Sequence, residues 1–220
     1  MHRKSDTPNP ARRSLLGGLA ALPLLSLSAP ALAQVGRTYR IELVIFEHAS
    51  EESRRLQQEI AAVREPSFGG STLDGRNYQT ADFELHRAVE RVENSGTGRV
   101  LARLAWEQIG RDHASTPWLR VQEGRRLGWR RDTLEEGRDA LQPVVLEDEL
   151  YELEGRLRVW VGRYLHLETD LIYHVDTGIR SAETPPAIAV QGHQRMNSGD
   201  QLFYLDHPVI GIIARVTRAD

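Results

Sequence analysis

The stretch that decides the fold is LEGRLRVWVGRYLHLETDLIY, residues 153–173. Apolar side chains recur at every second position on both sides of Gly162, with one slip near Thr169. Because successive side chains of a β-strand point to opposite faces, a period of two predicts two half-buried strands. Gly162 and Arg163 lie between them and predict a tight turn. The stretch is therefore interpreted as a β-hairpin, whose two strands pair antiparallel.

Other β-branched and apolar segments predict further strands on both sides of this hairpin. They cover residues 40–46, 100–106, 117–121, 188–196 and 209–216. Apolar residues at helical spacing predict helices over 50–63 and 82–92, and 198–205 is expected to form a short helix or turn. Residues 124–141 are charged without a clear period, so we expect an irregular loop there. Together these elements predict an α+β fold: a single domain of mostly antiparallel sheet, with one sheet covered by helices packed on one face.

The first 33 residues have the composition of an export signal. Basic residues precede an apolar run over 15–27, and Ala31-Leu32-Ala33 offers a small-x-small cleavage site before Gln34. This order is typical of a secretory signal peptide, and Arg12-Arg13 also resembles a twin-arginine signal. The run is shorter than the roughly 20 residues of a spanning helix, which argues against a membrane anchor. We therefore predict a signal peptide over residues 1–33, cleaved near Ala33/Gln34.

Composition narrows the classes of function. Cleavage would leave 187 residues, enough for one domain, with no second apolar run that could insert stably into a membrane. The chain has no cysteine, which excludes disulfides and thiolate metal sites. Without the four basic residues and one acidic residue of the leader, 24 basic and 30 acidic residues remain, a net charge of about −6. A net acidic domain is a poor candidate for binding nucleic acid, so no nucleic-acid partner is expected.

Familiar catalytic signatures are absent from the sequence. It contains no Gly-x-Ser-x-Gly elbow, no His-Glu-x-x-His pair and no phosphate-binding glycine loop. His166 and His174 are eight residues apart in one predicted strand, about 26 Å, and so cannot share a metal ion. We expect no catalytic residue, no metal and no cofactor. Because carboxylates are plentiful, a hydrolase or metal-dependent enzyme remains an alternative hypothesis.

The densest basic patch is RRLGWRR at residues 125–131. Arg126, Trp129 and Arg130 combine an indole ring, which can stack on a sugar, with guanidinium groups that bind carboxylates. These three residues are therefore candidate ligand contacts. The alternative is an exposed loop whose arginines pair with the acidic residues that follow.

Several segments together resemble one known family. They are YRIELVIFE at 39–47, VLARLAWEQ at 100–108, LEG at 153–155 with RYLHL at 163–167, and RM at 195–196 with LFYLDHPVIG at 202–211. On these motifs the chain resembles the CsiV family of periplasmic peptidoglycan-binding proteins, over about residues 38–217. The resemblance implies a non-enzymatic periplasmic protein that binds peptidoglycan and supports cell-wall assembly and cell shape. It also implies an accessory role to penicillin-binding-protein synthases or their activators.

The motifs add further candidate ligand contacts, namely Tyr164, His166, Arg195, Tyr204, Asp206 and His207. Pro208 favours an extended backbone at His207, and five of these residues, all except Arg195, are expected to converge. The alternative is a buried polar cluster that locks helix to sheet. A second functional hypothesis also stays open, in which the chain is an adaptor that contacts the synthesis machinery without touching the wall.

Overall fold

The computed structural model describes residues 33–59, 70–73, 77–134, 144–176 and 185–219, with the backbone only for 129–134 and 144–148. The predicted signal peptide, apart from Ala33, lies outside the described residues. The elements in these ranges are, in chain order, β1 (Thr38–His48), α1 (Glu51–Glu59), β2 (Gln79–Thr80), α2 (His86–Asn94), β3 (Gly98–Ile109), β4 (Leu119–Leu134), β5 (Val144–Val161), β6 (Leu165–His174), β7 (Ala187–Met196), β8 (Gly199–Asp206) and β9 (Ile210–Arg218). In the part of the chain that is described, neither helix has the length and apolar composition to cross a bilayer.

The strands form two antiparallel sheets. The larger sheet has the order β2-β3-β1-β9-β8, and the smaller sheet has the order β4-β5-β6-β7. The prediction of a mostly antiparallel fold is confirmed, and the hairpin over 153–173 forms the β5–β6 pair. The expectation of one sheet is wrong. Each sheet has an apolar face that must be removed from water, and the two sheets cover each other.

The core lies between the two sheets. In β1 the odd-numbered residues from Tyr39 to Ile45 are buried in one apolar cluster with Leu157 and Leu167 of the smaller sheet. A polar tie crosses the same interface, because the buried Gln108 side chain donates to the Val159 carbonyl at 2.6 Å. Burying a leucine side chain completely contributes roughly 1.5–3 kcal/mol, so this cluster is the main source of stability.

The two helices contact different parts of the fold. Helix α2 packs on the outer face of the larger sheet, where it adds three buried residues to a cluster with β1: Ala88, Val89 and Val92. Helix α1 instead places Leu56 against the inter-sheet core, and its Gln57 donates to Glu47 Oε1 at 3.0 Å. The expectation that the helices pack together on one face is therefore not confirmed.

Two segments differ from their predicted structure. Of residues 198–205, expected as a helix or turn, those from Gly199 onward belong to β8. This strand lies at the edge of the larger sheet and is mostly exposed, so its sequence has no alternating apolar pattern. The expected loop over 124–141 is wrong as far as Leu134, because β4 continues to that residue. Register shifts between Glu123 and Gly128 interrupt its pairing with β5, and Gly124 has φ +82°. A bulge breaks the alternation of side chains between the two faces of a sheet, so the sequence of a bulged strand does not show a period of two.

Candidate ligand-binding groove on the smaller sheet

The outer face of the smaller sheet carries three cross-strand rows of aromatic and polar side chains. In order across β5, β6 and β7, the rows are Trp160–His166–Arg195, Arg158–Glu168–His193 and Arg156–Asp170–Gln191. These positions alternate with the buried residues that face the core, so they point away from it. With strands about 4.8 Å apart and rows about 6.6 Å apart, they form a grid of roughly 10 Å by 13 Å.

Trp160, His166 and His193 form a group of nearly parallel rings, with His166 stacked on Trp160 and His193 beside His166, which we call the aromatic column. The Trp160 and His166 ring centroids are 3.9 Å apart, and those of His166 and His193 are 5.0 Å apart. His113, from the segment between β3 and β4, packs edge-on against Trp160 at 5.0 Å. His166 Nδ1 lies 2.9 Å from His193 Nε2, so the two rings share one hydrogen bond. Burial, aided by His193, Arg195 and His113, lowers the pKa of His166 and favours its neutral form.

Trp118, immediately before β4, lies under two arginines. The Cζ atoms of Arg156 and Arg158 are 4.5 Å and 4.3 Å from its ring centroid. Each arginine is also held by a carboxylate, since Arg156 Nε donates to Asp170 Oδ2 at 3.1 Å and Arg158 Nε donates to Glu168 Oε2 at 2.9 Å. A guanidinium stacked on an indole and tied to a carboxylate has little freedom to move. This part of the site is therefore preorganised.

Between Trp118 and the aromatic column the surface forms an open groove of about 590 Å³. Thr169, Gln191 and Gly192 complete its lining beside the arginine–carboxylate pairs. The groove thus combines flat ring surfaces with donors and acceptors in fixed positions, and its volume is that of a small-molecule site. Such a lining suits a sugar, whose ring packs on an aromatic face while its substituents form hydrogen bonds.

A second aromatic–arginine group lies at the hairpin end of the groove. Tyr164, in the β5–β6 turn, has Arg195 Cζ at 4.7 Å and Arg163 Cζ at 5.8 Å from its ring centroid. Both arginines are exposed, and Arg195 lies opposite His166 in the β6–β7 register. We call Arg163, Tyr164 and Arg195 the hairpin arginine cluster.

The five motif residues that were expected to converge lie in separate parts of the structure. Tyr164, His166 and Arg195 lie at the hairpin end of the smaller sheet, beside the groove but not in its lining. Tyr204 and Asp206 lie on β8 of the larger sheet, where the Tyr204 hydroxyl donates to Asp206 Oδ1 at 2.9 Å. His48 Nε2 lies 3.3 Å from the same oxygen. These three residues form the β8 cluster, which is separate from the groove.

The remaining predicted contacts have structural partners or cannot be placed. His207 Nδ1 accepts a hydrogen bond from the Val209 backbone at 3.2 Å, and burial lowers the pKa of this half-buried ring. Arg126 lies in β4 rather than in a loop, and its Nη1 donates to Glu149 Oε1 at 2.8 Å. This partner is therefore a carboxylate of β5 rather than one of the acidic residues that follow the patch in the sequence. The side chains of Trp129 and Arg130 lie outside the described part of the chain.

The residues that line the groove were all missed from the sequence. They are His113, Trp118, Arg156, Trp160, Glu168, Thr169, Asp170, Gln191, Gly192 and His193, and the neighbouring Arg158 and Arg163 were missed as well. A signal existed for three of them, because the period of two in 153–173 places Arg156, Arg158 and Trp160 on one face, opposite the leucines. Trp118 and His113 lie about 40 residues earlier, so only strand pairing reveals their position.

Similarity to known proteins identifies the family of this chain. Among the described residues, no group of three or more metal-ligating side chains is arranged to hold a metal ion. Searches of curated proteins and of solved structures found no match. A family model described as "Peptidoglycan-binding protein, CsiV" matches residues 76–219, a span that contains β2 to β9 and hence the groove. Because this match covers well over half of the 220 residues, the chain belongs to the CsiV family of peptidoglycan-binding proteins.

Proposed function

We propose that this protein binds peptidoglycan directly, through the groove on the outer face of the smaller sheet. One observation carries the proposal. Two tryptophan rings and two carboxylates line one open groove, and each carboxylate is paired with an arginine that lies on Trp118. The groove lies inside the span that the family model matches. Peptidoglycan consists of glycan strands with peptide stems, and it offers sugar faces and carboxylates. Indole rings and guanidinium groups recognise these chemical groups.

We propose that binding occurs in the periplasm and without cleavage of the wall. Glu168 and Asp170 are the two carboxylates that line the groove, and each is bonded to an arginine. A general acid or base must reach the reacting oxygen or water with a free carboxyl group. The ion pairs of the groove therefore support ligand binding rather than hydrolysis.

Sedimentation with purified sacculi, in the absence of other proteins, tests the proposal. We expect the wild-type protein in the pellet, and we expect Trp118→Ala and Trp160→Ala each to weaken binding about tenfold, the equivalent of about 1.4 kcal/mol. Arg103→Gln is the control, because Arg103 is exposed on the larger sheet, where it pairs with Glu93 at 3.0 Å. Circular dichroism would verify that each variant is folded.

The same experiment separates the competing hypotheses. Wild-type protein that stays in the supernatant would contradict direct binding, and capture by a purified synthase or its activator would then indicate an adaptor. Release of soluble wall fragments would indicate a hydrolase. If Tyr204→Ala weakens binding while Trp118→Ala does not, the β8 cluster is the contact surface instead of the groove.

We further propose that wall binding serves cell-wall assembly and cell shape, as an accessory to penicillin-binding-protein synthases. The resemblance of the motifs at 153–167 and 195–211 to the CsiV family supports this role. In cells that depend on the protein for their shape, the folded Trp118→Ala variant is expected to fail to restore it. Full restoration by a variant that no longer binds sacculi would contradict the link between the two activities.

A further inference from the structure

The hairpin arginine cluster carries cationic charge that the protein itself does not neutralise. Arg156 and Arg158 are each bonded to a carboxylate across the β5–β6 pair. Arg163 and Arg195 differ, because within the described ranges neither has a carboxylate partner, and both are exposed on the ring of Tyr164. The three rows and the adjoining turn therefore contain four arginines and two carboxylates, an excess of two positive charges.

This local excess of positive charge stands out on a chain whose formal net charge is −3. A cationic patch on a net acidic protein orients an anionic ligand and disfavours approach through other faces. Contact with the Tyr164 ring limits the freedom of both guanidinium groups, which lowers the entropy lost when a ligand binds.

The cluster is continuous with the groove. Arg195 pairs with His166 in the strand register, and His166 stacks on Trp160 at 3.9 Å. Two strand spacings, about 10 Å, separate the Trp160 and Arg195 positions. When a wall fragment packs a sugar against the aromatic column, its charged substituents can therefore reach these arginines.

We propose that Arg163, Tyr164 and Arg195 form a carboxylate-binding subsite of the groove, which recognises the free carboxylates of peptidoglycan. The inference rests on the proposed function and names the chemical group that the groove selects. The guanidinium fork donates two parallel hydrogen bonds to a carboxylate, an arrangement that lysine cannot reproduce. The carboxylates belong either to the peptide stems or, on strands that have lost their stems, to the lactyl group of the muramic sugar.

The test compares sacculi before and after their carboxylates are converted to amides with carbodiimide and ammonia. We expect amidation to weaken wild-type binding at least tenfold. The double variant R163Q/R195Q should bind untreated sacculi as weakly as the wild type binds amidated sacculi, and amidation should not weaken it further. The variant R163K/R195K should recover only part of the affinity, since charge alone is restored. Arg103→Gln serves as the control for loss of an exposed arginine, and thermal unfolding would verify the fold of each variant.

Glycan strands freed of their stems by an amidase then identify the source of the carboxylate. The amidase removes the stem carboxylates and frees the lactyl carboxylate, which is amide-bonded to the stem in intact peptidoglycan. Lost binding therefore assigns the subsite to the stem, and retained binding shows that the freed sugar carboxylate can occupy it. Equal wild-type affinity for untreated and amidated sacculi would overturn the subsite while leaving the proposed function intact. An amidation effect of full size in R163Q/R195Q would also overturn it. Absence of wild-type binding to untreated sacculi would overturn the proposed function itself.

Discussion

Arg158 shows how one side chain can serve both the fold and the groove. Its guanidinium covers Trp118, its Nη2 lies 2.7 Å from Glu168 Oε2, and its Nη1 donates to the His113 carbonyl at 3.1 Å. The side chain is only 11% exposed, so these contacts are shielded from water and are stronger than surface pairs. The orientation of Trp118 therefore depends on Arg158.

Replacing Arg158 is expected to cost both stability and binding. Arg158→Gln removes a charge-assisted hydrogen bond to Glu168, which is worth about 1.5–3 kcal/mol, and it uncovers Trp118. We expect the free energy of unfolding in urea to fall by about 2 kcal/mol and sacculus binding to weaken about tenfold. Arg103→Gln should change stability by less than about 0.5 kcal/mol, because it breaks an exposed pair. Equal effects of the two substitutions would contradict the role assigned to Arg158.

The burial of His166 makes the aromatic column sensitive to acid. The pKa of His166 is lowered in the folded state, first by burial and then by His193, Arg195 and His113. Between this lowered value and the ordinary value near 6.5, the unfolded chain binds more protons than the folded one. Stability is therefore complete above about pH 6.5 and falls as the pH drops toward the folded value.

Urea unfolding at pH 7.5 and pH 5.5 measures this effect. We expect the wild-type midpoint to be lower at pH 5.5. In His166→Gln the drop should be smaller, because glutamine keeps a hydrogen-bonding group without titrating. An identical drop in the two proteins would show that other groups, such as His207, cause the pH dependence.

At the scale of elements, the β5–β6 hairpin depends on Gly155. This residue has φ +126°, a backbone conformation that residues with a Cβ rarely adopt. A Cβ atom there would collide with the Asp170 carbonyl oxygen and come within 2.9 Å of Leu171 Cα, both backbone atoms of β6. Glycine therefore lets the two strands approach each other in the middle of the smaller sheet.

Gly155→Ala is expected to destabilise the protein by about 3 kcal/mol or more, since backbone strain and overpacking each cost about 1–3 kcal/mol. Gly128→Ala is the matched control, because a Cβ at Gly128 meets no atom within 4 Å. Thermal unfolding of the two variants gives the comparison. A similar melting temperature for both would contradict the proposed need for glycine at position 155.

The hairpin also shows why some elements could be predicted and others could not. Strands β5 and β6 have one face against the core and the other toward the groove. Apolar and polar residues therefore alternate along their sequence, which gives the period of two. Strand β8 is an exposed edge strand and β4 is bulged, so neither carries that period. Tyr164, His166 and Arg195 could be chosen from a motif, whereas Trp118 reaches the groove only through the packing of β4 against β5.

At the scale of the whole molecule, a polar network ties the two sheets together. Arg99 of β3 donates through Nη1 to Glu152 Oε2 of β5 at 3.0 Å, and through Nη2 to Glu47 Oε2 of β1 at 2.7 Å. Arg125 of β4 donates to Glu152 from its backbone N–H and from Nε, both at 2.8 Å. The Glu152 side chain is 0% exposed, so its charge relies entirely on these donors.

Because of this network, we predict that the protein loses stability in acid when Glu152 is protonated. Burial acts to raise the pKa of Glu152, but the hydrogen bonds from Arg99 and Arg125 together outweigh it, and the pKa lies below its ordinary value of 4.5. The stabilisation is therefore complete above pH 4.5 and is lost as the pH falls through the folded value. Glu152→Gln leaves Arg99 without this buried partner and is expected to cost about 3 kcal/mol at pH 7.

Urea unfolding between pH 3 and pH 7 distinguishes this inter-sheet tie from an ordinary surface pair. Wild-type stability should decline steeply below pH 4.5, while Glu152→Gln should start lower and decline less. Glu93→Gln is the control, because Glu93 belongs to an exposed pair with Arg103 and should follow the wild-type curve. Parallel curves for wild type and Glu152→Gln would mean that the ionisation of Glu152 does not contribute to holding the two sheets together, and the inter-sheet tie would then not depend on pH.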